Sequence, residues 1–379
     1  VNADGSNPRT LWQAQQGLAR ELGPGDLNWR PDAAEIAFDS AHDLFRSMLM
    51  RDIYALASDG SYLRRLTRAP DPSSFDLYPK GTVTFTVVNS SFTRELDVFI
   101  EGAKGSVRQL MPAGMAWVFT FSDVADFGPG VRQYVRLLDV NAGPSALNRV
   151  CFFELGWFAD VIANNTVSLG TINPVPNEYN CPIALSPSWR ADGKKAAFVM
   201  REATKLFSPP NNIWQADAAP APATYGERLL DYGQCATTDR LYLVAYGTGP
   251  RQDQLIFVEN GATITPIYIA PAGDPANRTY LNLGLCPRVT CWVTGLSWLP
   301  DGSGFVFSRQ ESGPGLGNPP PEGGAIYLYD LSTNTFRQVF RAPGEALGRL
   351  SVSPDGRMIA FERAPQPRVA GGKIQDRNA

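Results

Sequence analysis

The sequence predicts an all-β protein, a five-bladed β-propeller with six blades as the alternative, interrupted by an antiparallel β-sandwich. Three observations predict it. One hairpin is written four times; its copies are spaced by whole multiples of a unit except across one gap; and that gap has a strand pattern of its own.

The hairpins are "NWRPDAAEIAF" (28–38), "SWRADGKKAAF" (188–198), "SWLPDGSGFVF" (297–307) and "SVSPDGRMIAF" (351–361). Aligned on Trp29, Trp189, Trp298 and Val352, each returns an aromatic ring at Phe38, Phe198, Phe307 and Phe361. Asp32, Asp192, Asp301 and Asp355 hold the turn, and a glycine follows all but the first, as a tight turn needing positive φ prefers. Alternation such as Phe305/Phe307 and Ile359/Phe361 marks strands with one buried face.

A second hairpin follows the first. "DIYALASDGSYLRRLT" (52–67) is the clearest, and "NIWQADAAPAPATYGERLL" (212–230), "QLIFVENGATITPIYI" (254–269) and "AIYLYDLSTNTFRQVF" (325–340) are looser versions. Each unit is then four antiparallel strands of about 40–55 residues, the size of a propeller blade. Asp301 and Asp355 lie 54 positions apart, one unit. Asp192 and Asp301 lie 109 apart, two units, so an unsigned blade sits near 234–270 with "RLYLVAY" and "QLIFVEN" as strands. The chain opens on an outer hairpin, "NADGSNPRTLW", and ends on an inner one. Those halves are expected to close the ring through N- and C-terminal strands, since a blade cannot bury both faces alone.

The pairing of "W-SPDG…IAF" with "IY…DG…LT" resembles the TolB-type propeller repeat, a WD-like, PD40-like motif. The resemblance covers the chain apart from the gap and some loops. It implies a propeller and a spread of roles, from protein-binding platform to peptidase gate to periplasmic or surface protein.

Asp32 and Asp192 stand 160 positions apart, too far for one unit. Between them "GTVTFTVVN", "ELDVFIEG", "SVRQLM", "AWVFTFSD", "VRQYVRLLD", "RVCFFELGWF" and "TVSLGTI" read as seven strands, the pattern of an immunoglobulin-like sandwich. The expected division is a propeller over 1–78 and 182–379 and an inserted sandwich domain over 79–181.

Composition narrows the function. A net charge of −3 without a basic block speaks against nucleic acid. No apolar run is long enough for a transmembrane segment. His42 is the only histidine, and there is no GxSxG elbow, GxGxxG or phosphate loop. No catalytic residues, cofactor or metal site are expected, and no small-molecule ligand. Of five cysteines, Cys286 and Cys291 are the candidate disulfide, with Cys151, Cys181 and Cys235 left isolated.

The long connections fall on one face of the propeller, where binding usually resides. The sharpest candidate is "SAHDLFRSMLMR" (40–51), read as a short helix capped by Ser40 and Asp43 whose stripe Leu44, Phe45, Met48 and Leu49 meets a partner. The resulting expectation is a non-enzymatic, extracytoplasmic platform for other protein subunits. It would be periplasmic or on the cell surface, within a larger assembly, with a segment preceding this chain as the expected place for an anchor. The first alternative is a carbohydrate-active propeller enzyme using channel acids such as Asp26, Glu35, Asp39 and Asp43. The second is a structural filament or surface-layer component.

Overall fold

The computed structural model describes residues 10–13, 25–43, 47–67, 72–90, 92–140, 151–174, 181–201, 211–219, 227–230, 240–260, 266–281, 290–312, 323–353 and 355–365. The chain is all-β. The first sheet comprises β1 (Gly25–Trp29), β2 (Glu35–Ser40), β3 (Asp52–Ala57) and β4 (Leu63–Arg65). A seven-strand unit follows: β5 (Lys80–Val88), β6 (Arg94–Ile100), β7 (Val107–Met111), β8 (Ala116–Ala125), β9 (Arg132–Asp139), β10 (Cys151–Asp160) and β11 (Thr166–Ile172). The second repeat sheet is β12 (Ile183–Trp189), β13 (Lys195–Arg201), β14 (Asn211–Asp217) and β15 (Glu227–Leu230). The third is β16 (Arg240–Tyr246), β17 (Gln254–Asn260), β18 (Ile267–Pro271) and β19 (Thr279–Leu281). The fourth is β20 (Thr290–Trp298), β21 (Gly304–Ser312), β22 (Gly323–Asp330) and β23 (Thr335–Ala342), and β24 (Glu345–Val352) with β25 (Ile359–Pro365) forms a last, two-stranded sheet.

The repeated aspartates make the turns as expected. Oδ1 of Asp32, Asp192, Asp301 and Asp355 accepts the backbone N–H two residues on, from Ala34, Lys194, Ser303 and Arg357, at 2.9–3.1 Å. Gly193, Gly302 and Gly356 then take φ of 67°, 69° and 72°, and Ala33 adopts 58° at the equivalent place.

Alternating side chains serve two neighbours. Ala196, Phe198 and Met200 of β13 pack on Ala37, Ile53 and Ala55 of the first sheet, while Ala197 and Val199 pack on Leu255 and Phe257 of the third. The third sheet meets the fourth through Ile256, Val258, Trp298 and Phe305, and the fourth meets the last through Val306, Ile326 and Leu347. This two-faced burial is why these strands read as unbroken apolar runs, and it stacks the sheets in series as in a propeller.

The first strand of each sheet lies beside the first strand of the next. Each carries a register irregularity that begins four or five residues before the Trp position: 25/28, 185/188, 241/243, 293/295 and 347/350. The residue just before the Trp position then reaches the following sheet. Asn28 Oδ1 accepts the Trp189 N–H at 2.9 Å, Ser188 Oγ accepts Tyr246 N–H at 3.0 Å, and Ser297 Oγ accepts Val352 N–H at 3.2 Å. Where that residue is Ala245, the Trp298 indole N–H donates to its carbonyl instead, at 3.3 Å. The recurrent "N/S-W" therefore encodes a contact between sheets, the dipeptide that bonds one blade to the next.

The seven-strand unit is a two-sheet sandwich, ordered β10-β9-β6-β7 and β11-β5-β8, around a core that includes Val83, Phe85, Leu96, Val98, Phe121 and Leu137. All seven expected strands form. The expected purely antiparallel pairing is corrected, because β11 runs parallel to β5. A parallel neighbour needs a long crossover, and strands β6–β10 supply it.

The outward face of β6, β9 and β10 docks on the propeller. Phe99, Leu138, Cys151 and Phe153 share a cluster with Ala41, Met48 and Met50 after β2, and with Cys181 and Ile183 at the start of the second sheet. Arg136 is buried there, its Nη1 3.6 Å from the Met50 Sδ and its guanidinium 5.9 Å from the Phe99 ring centre. The Cys151–Cys181 disulfide joins the same surfaces covalently. Backbone bonds from Met50 N–H to Pro182 O (2.8 Å) and Ala184 N–H to Arg51 O (2.9 Å) tie the segment before β3 to the point where the chain returns from the sandwich.

At the chain ends, Leu11 and Trp12 pack against Phe38, Tyr54, Leu56 and Leu63, on the face of the first sheet turned from the second. Residues 1–9 lie outside the described part, and among the described residues no strand from the N-terminus pairs with β24 or β25.

Candidate functional site

The expected partner stripe resolves differently from its sequence pattern. Ser40 ends β2 and residues 47–50 are not helical, so the Ser40–Asp43 cap does not start a helix over 40–51; the Ser40 Oγ instead accepts the His42 N–H at 3.2 Å. Leu44 and Phe45 lie outside the described residues. Met48 and Leu49 are 1% and 0% exposed, Met48 under the sandwich and Leu49 between the first two sheets, so neither offers a surface to another protein. Their occupant is this chain's own sandwich and second sheet. Cys286, and the side chain of Cys291, lie outside the described residues; the disulfide that is present uses Cys151 and Cys181, two of the cysteines read as isolated.

The acids in the first sheet divide sharply. Glu35 is buried and held by Arg30 (2.9 Å), by Arg64 through two nitrogens (2.7 Å each) and by the Tyr62 hydroxyl (2.9 Å). Burial pushes its carboxyl up, but these partners outweigh burial and hold it below the usual value. Asp52 is buried between Ser47, Thr67 and Arg65 and is raised to about 6, chiefly by burial, with Asp43 adding a like charge. Both are structural anchors.

Asp26 and Asp39 form the polar centre where β1, β2, β12 and β24 meet. The irregularity in β1 holds Asp26 at φ 45°, and the matching one in β12 holds Ser186 at 56°. Irregularities of this kind re-aim side chains at barrel rims and beside sites. Asp26 forms an ion pair with Arg349 of β24, linking the first sheet to the last. Arg51 grips Asp39 through Nε at 2.5 Å and through Nη2 to its carbonyl at 3.2 Å. The Ser186 N–H lies 3.5 Å from Asp39 Oδ2. A Cβ at Gly25 would come within 3.0 Å of Arg51 Nη2 and 3.1 Å of Asp39 Oδ1, so any larger residue there would press on this pair. The Asp26 carboxyl is raised from 3.8 to about 7, mainly by burial, with the Asp39 charge and hydrogen bond adding to it and Arg349 and Arg51 opposing.

This pair keeps a proton on Asp26 near neutrality. It does not suit glycoside hydrolysis, whose two carboxyl groups stand about 5–9.5 Å apart to admit the sugar. Here they are hydrogen-bonded to one another and closed in by arginines. The lone histidine offers no alternative: the His42 ring sits against Trp12 and Tyr54, and its Nδ1 is 3.0 Å from the buried Ser40 Oγ two residues away. Among the described residues no group of three or more His, Cys, Asp or Glu is placed to hold a metal ion, and no helix is long and apolar enough to cross a membrane.

The geometry defines a serially stacked, all-β protein of the propeller class with a sandwich fixed to one side. No family model matches the sequence, and no curated protein does. Among solved structures, the chain is similar to an oligogalacturonate lyase in complex with manganese, at 15% identity and TM-score 0.36, covering 88% of this chain and 68% of that one. It is similar to TolB from Acinetobacter baumannii at 13% identity and TM-score 0.31, covering 90% of this chain and 58% of TolB. It is also similar to the Dos1 propeller at 10% identity and TM-score 0.38, covering 89% and 67%.

Proposed function

We propose that the chain is a non-enzymatic, extracytoplasmic interaction platform: a five-bladed propeller, 1–78 and 182–379, that carries an immunoglobulin-like sandwich, 79–181, at a fixed angle. The observation that carries this reading is the coupling between the two parts. A buried apolar cluster, the buried Arg136 and the Cys151–Cys181 bridge join them, so the sandwich is displayed rigidly. A rigid display lowers the ordering cost of binding a large partner. The disulfide favours an oxidising compartment. Ring closure is supported by the Arg349–Asp26 pair and by Leu11 and Trp12 covering the otherwise open face of the first sheet. The arginine-bound acid pair supports the absence of hydrolytic chemistry. The test is gentle affinity isolation of the protein from its native source, followed by native mass measurement. Recovery with other subunits at fixed stoichiometry is expected. Recovery of this chain alone, or release of reducing sugar from polysaccharides by the pure protein, overturns the reading.

A further inference from the structure

The sandwich docks through its β10-β9-β6 face, so the opposite sheet, β11-β5-β8, faces away from the propeller. Both sheets end on one side, at β7 and β8, which a four-residue link joins in sequence. Asn89 ties the loops there, donating from Nδ2 to the Phe92 and Met111 carbonyls and accepting Gly114 N–H. This side gathers large exposed apolar groups: Phe92 (65%), Leu110 (56%), Met115 (50%), Trp117 (39%) and Val118 (69%).

Open strand edges invite pairing with another chain, and proteins blunt them with charge, brevity or bulges. Among the described residues, edge strands elsewhere follow that rule. β4 and β19 have three residues each, β7 carries Arg108, β23 carries Arg337 and Arg341, and β25 carries Glu362 and Arg363. The β11 edge is broken by a register shift and by Gly170 at φ 72°. β8 departs from the rule over "AWVFTFS" (116–122), which has no charge, proline or glycine. Only beyond it does Asp123, at φ 61°, interrupt the strand.

We propose that this edge is a self-association site, at which two copies of the chain pair β8 with β8 antiparallel about a two-fold axis at Phe119. The segment is complementary to itself in that register. Directly opposed residues point to the same face of an antiparallel ladder. Pairing about Phe119 sets Trp117 opposite Phe121 of the second copy on the inner face, and Val118 opposite Thr120 on the outer. Like charges oppose each other nowhere, and Asp123 falls outside the paired stretch. The two three-stranded sheets become one of six. Its outer face continues Thr82, Thr84, Thr86, Thr120, Thr166 and Ser168, all without charge. An isologous two-fold contact is the commonest route to a closed dimer. The partner is distinct from the foreign subunits of the platform reading, so the two claims fall to different measurements.

The test is light scattering or sedimentation of the purified full chain over a concentration series, for the wild type, Val118→Lys and Val339→Lys. Val339 is the control, a 37% exposed apolar residue on β23. Melting temperatures of all three verify folding. A concentration-dependent dimer is expected, weakened roughly tenfold or more by Val118→Lys and unchanged by Val339→Lys. Hydrogen exchange over 116–122 is expected to slow as dimer forms. A wild type that stays monomeric, a dimer indifferent to Val118→Lys, or open-ended polymers without a dimer limit overturns the proposal.

Discussion

Asparagine at Asp26 removes one proton-binding group from the junction of the first and last sheets and leaves its size unchanged. The folded protein raises the Asp26 carboxyl from 3.8 to about 7, so the folded state binds that proton more tightly than the unfolded chain does. The contribution of Asp26 to stability is therefore fully present below 3.8, falls as pH rises toward 7, and is flat above it. A shift of about three units corresponds to roughly 4 kcal/mol at 1.36 kcal/mol per unit. The side chain is 14% exposed, so solvent screening takes little of this. For 379 residues the unfolding entropy is roughly 0.8 kcal/mol/K, which converts the change to about 5 °C in melting temperature. The assay is thermal unfolding by circular dichroism at pH 4 to 8, wild type against Asp26→Asn. The variant should gain about 5 °C on the wild type between the ends of that range. A difference that stays constant with pH, or shrinks as pH rises, refutes the argument that desolvation outweighs the Arg349 ion pair.

The remaining predictions concern the joints. Replacing Cys151 and Cys181 together by serine should cost about 3–4 kcal/mol, as expected for a bridge spanning 30 positions, read by denaturant unfolding. Met48→Ala should cost about 2–5 kcal/mol by leaving a cavity beneath the sandwich, read by denaturant unfolding. Ser188→Ala should cost about 1–3 kcal/mol, because the buried Tyr246 N–H loses its acceptor, while Ser351→Ala, exposed in the last sheet, should change the melting temperature by less than a degree or so.

The repeat was legible because it is local. Asp192, Gly193 and their equivalents encode a turn within a few residues, and the alternation of Phe305 and Phe307 encodes a buried face. The third sheet was found by spacing alone, since its hairpin lacks the aspartate signature and uses a short 3₁₀ turn, Gly249–Arg251. What the sequence concealed depends on distant partners. Cys151 and Cys181 meet only once β10 is laid against the start of the second sheet, while the short loop between Cys286 and Cys291 drew attention by proximity. Met48 and Leu49 showed an apolar stripe, and the pattern is real, but nothing within 40–51 says that its cover lies some 50 to 150 positions downstream. Residue type marks Asp26 and Asp39 only as two of four candidate channel acids; the irregularity in β1 that turns them together leaves no signature in it.

The Asn28–Trp189 bond joins residues that a ribosome makes far apart in time. At about 5–20 residues per second, the first sheet, complete at Arg65, emerges roughly 7 to 27 seconds before β13, ending at Arg201, can cover it. Through that interval Ala37, Ile53 and Ala55 face solvent or a chaperone, while the sandwich, emerging next, already has all seven of its strands. Placing the sandwich after the first sheet rather than the last therefore makes it the first complete core of the nascent chain, and the surface on which the apolar Met48–Met50 segment can settle before its neighbours in the second sheet exist.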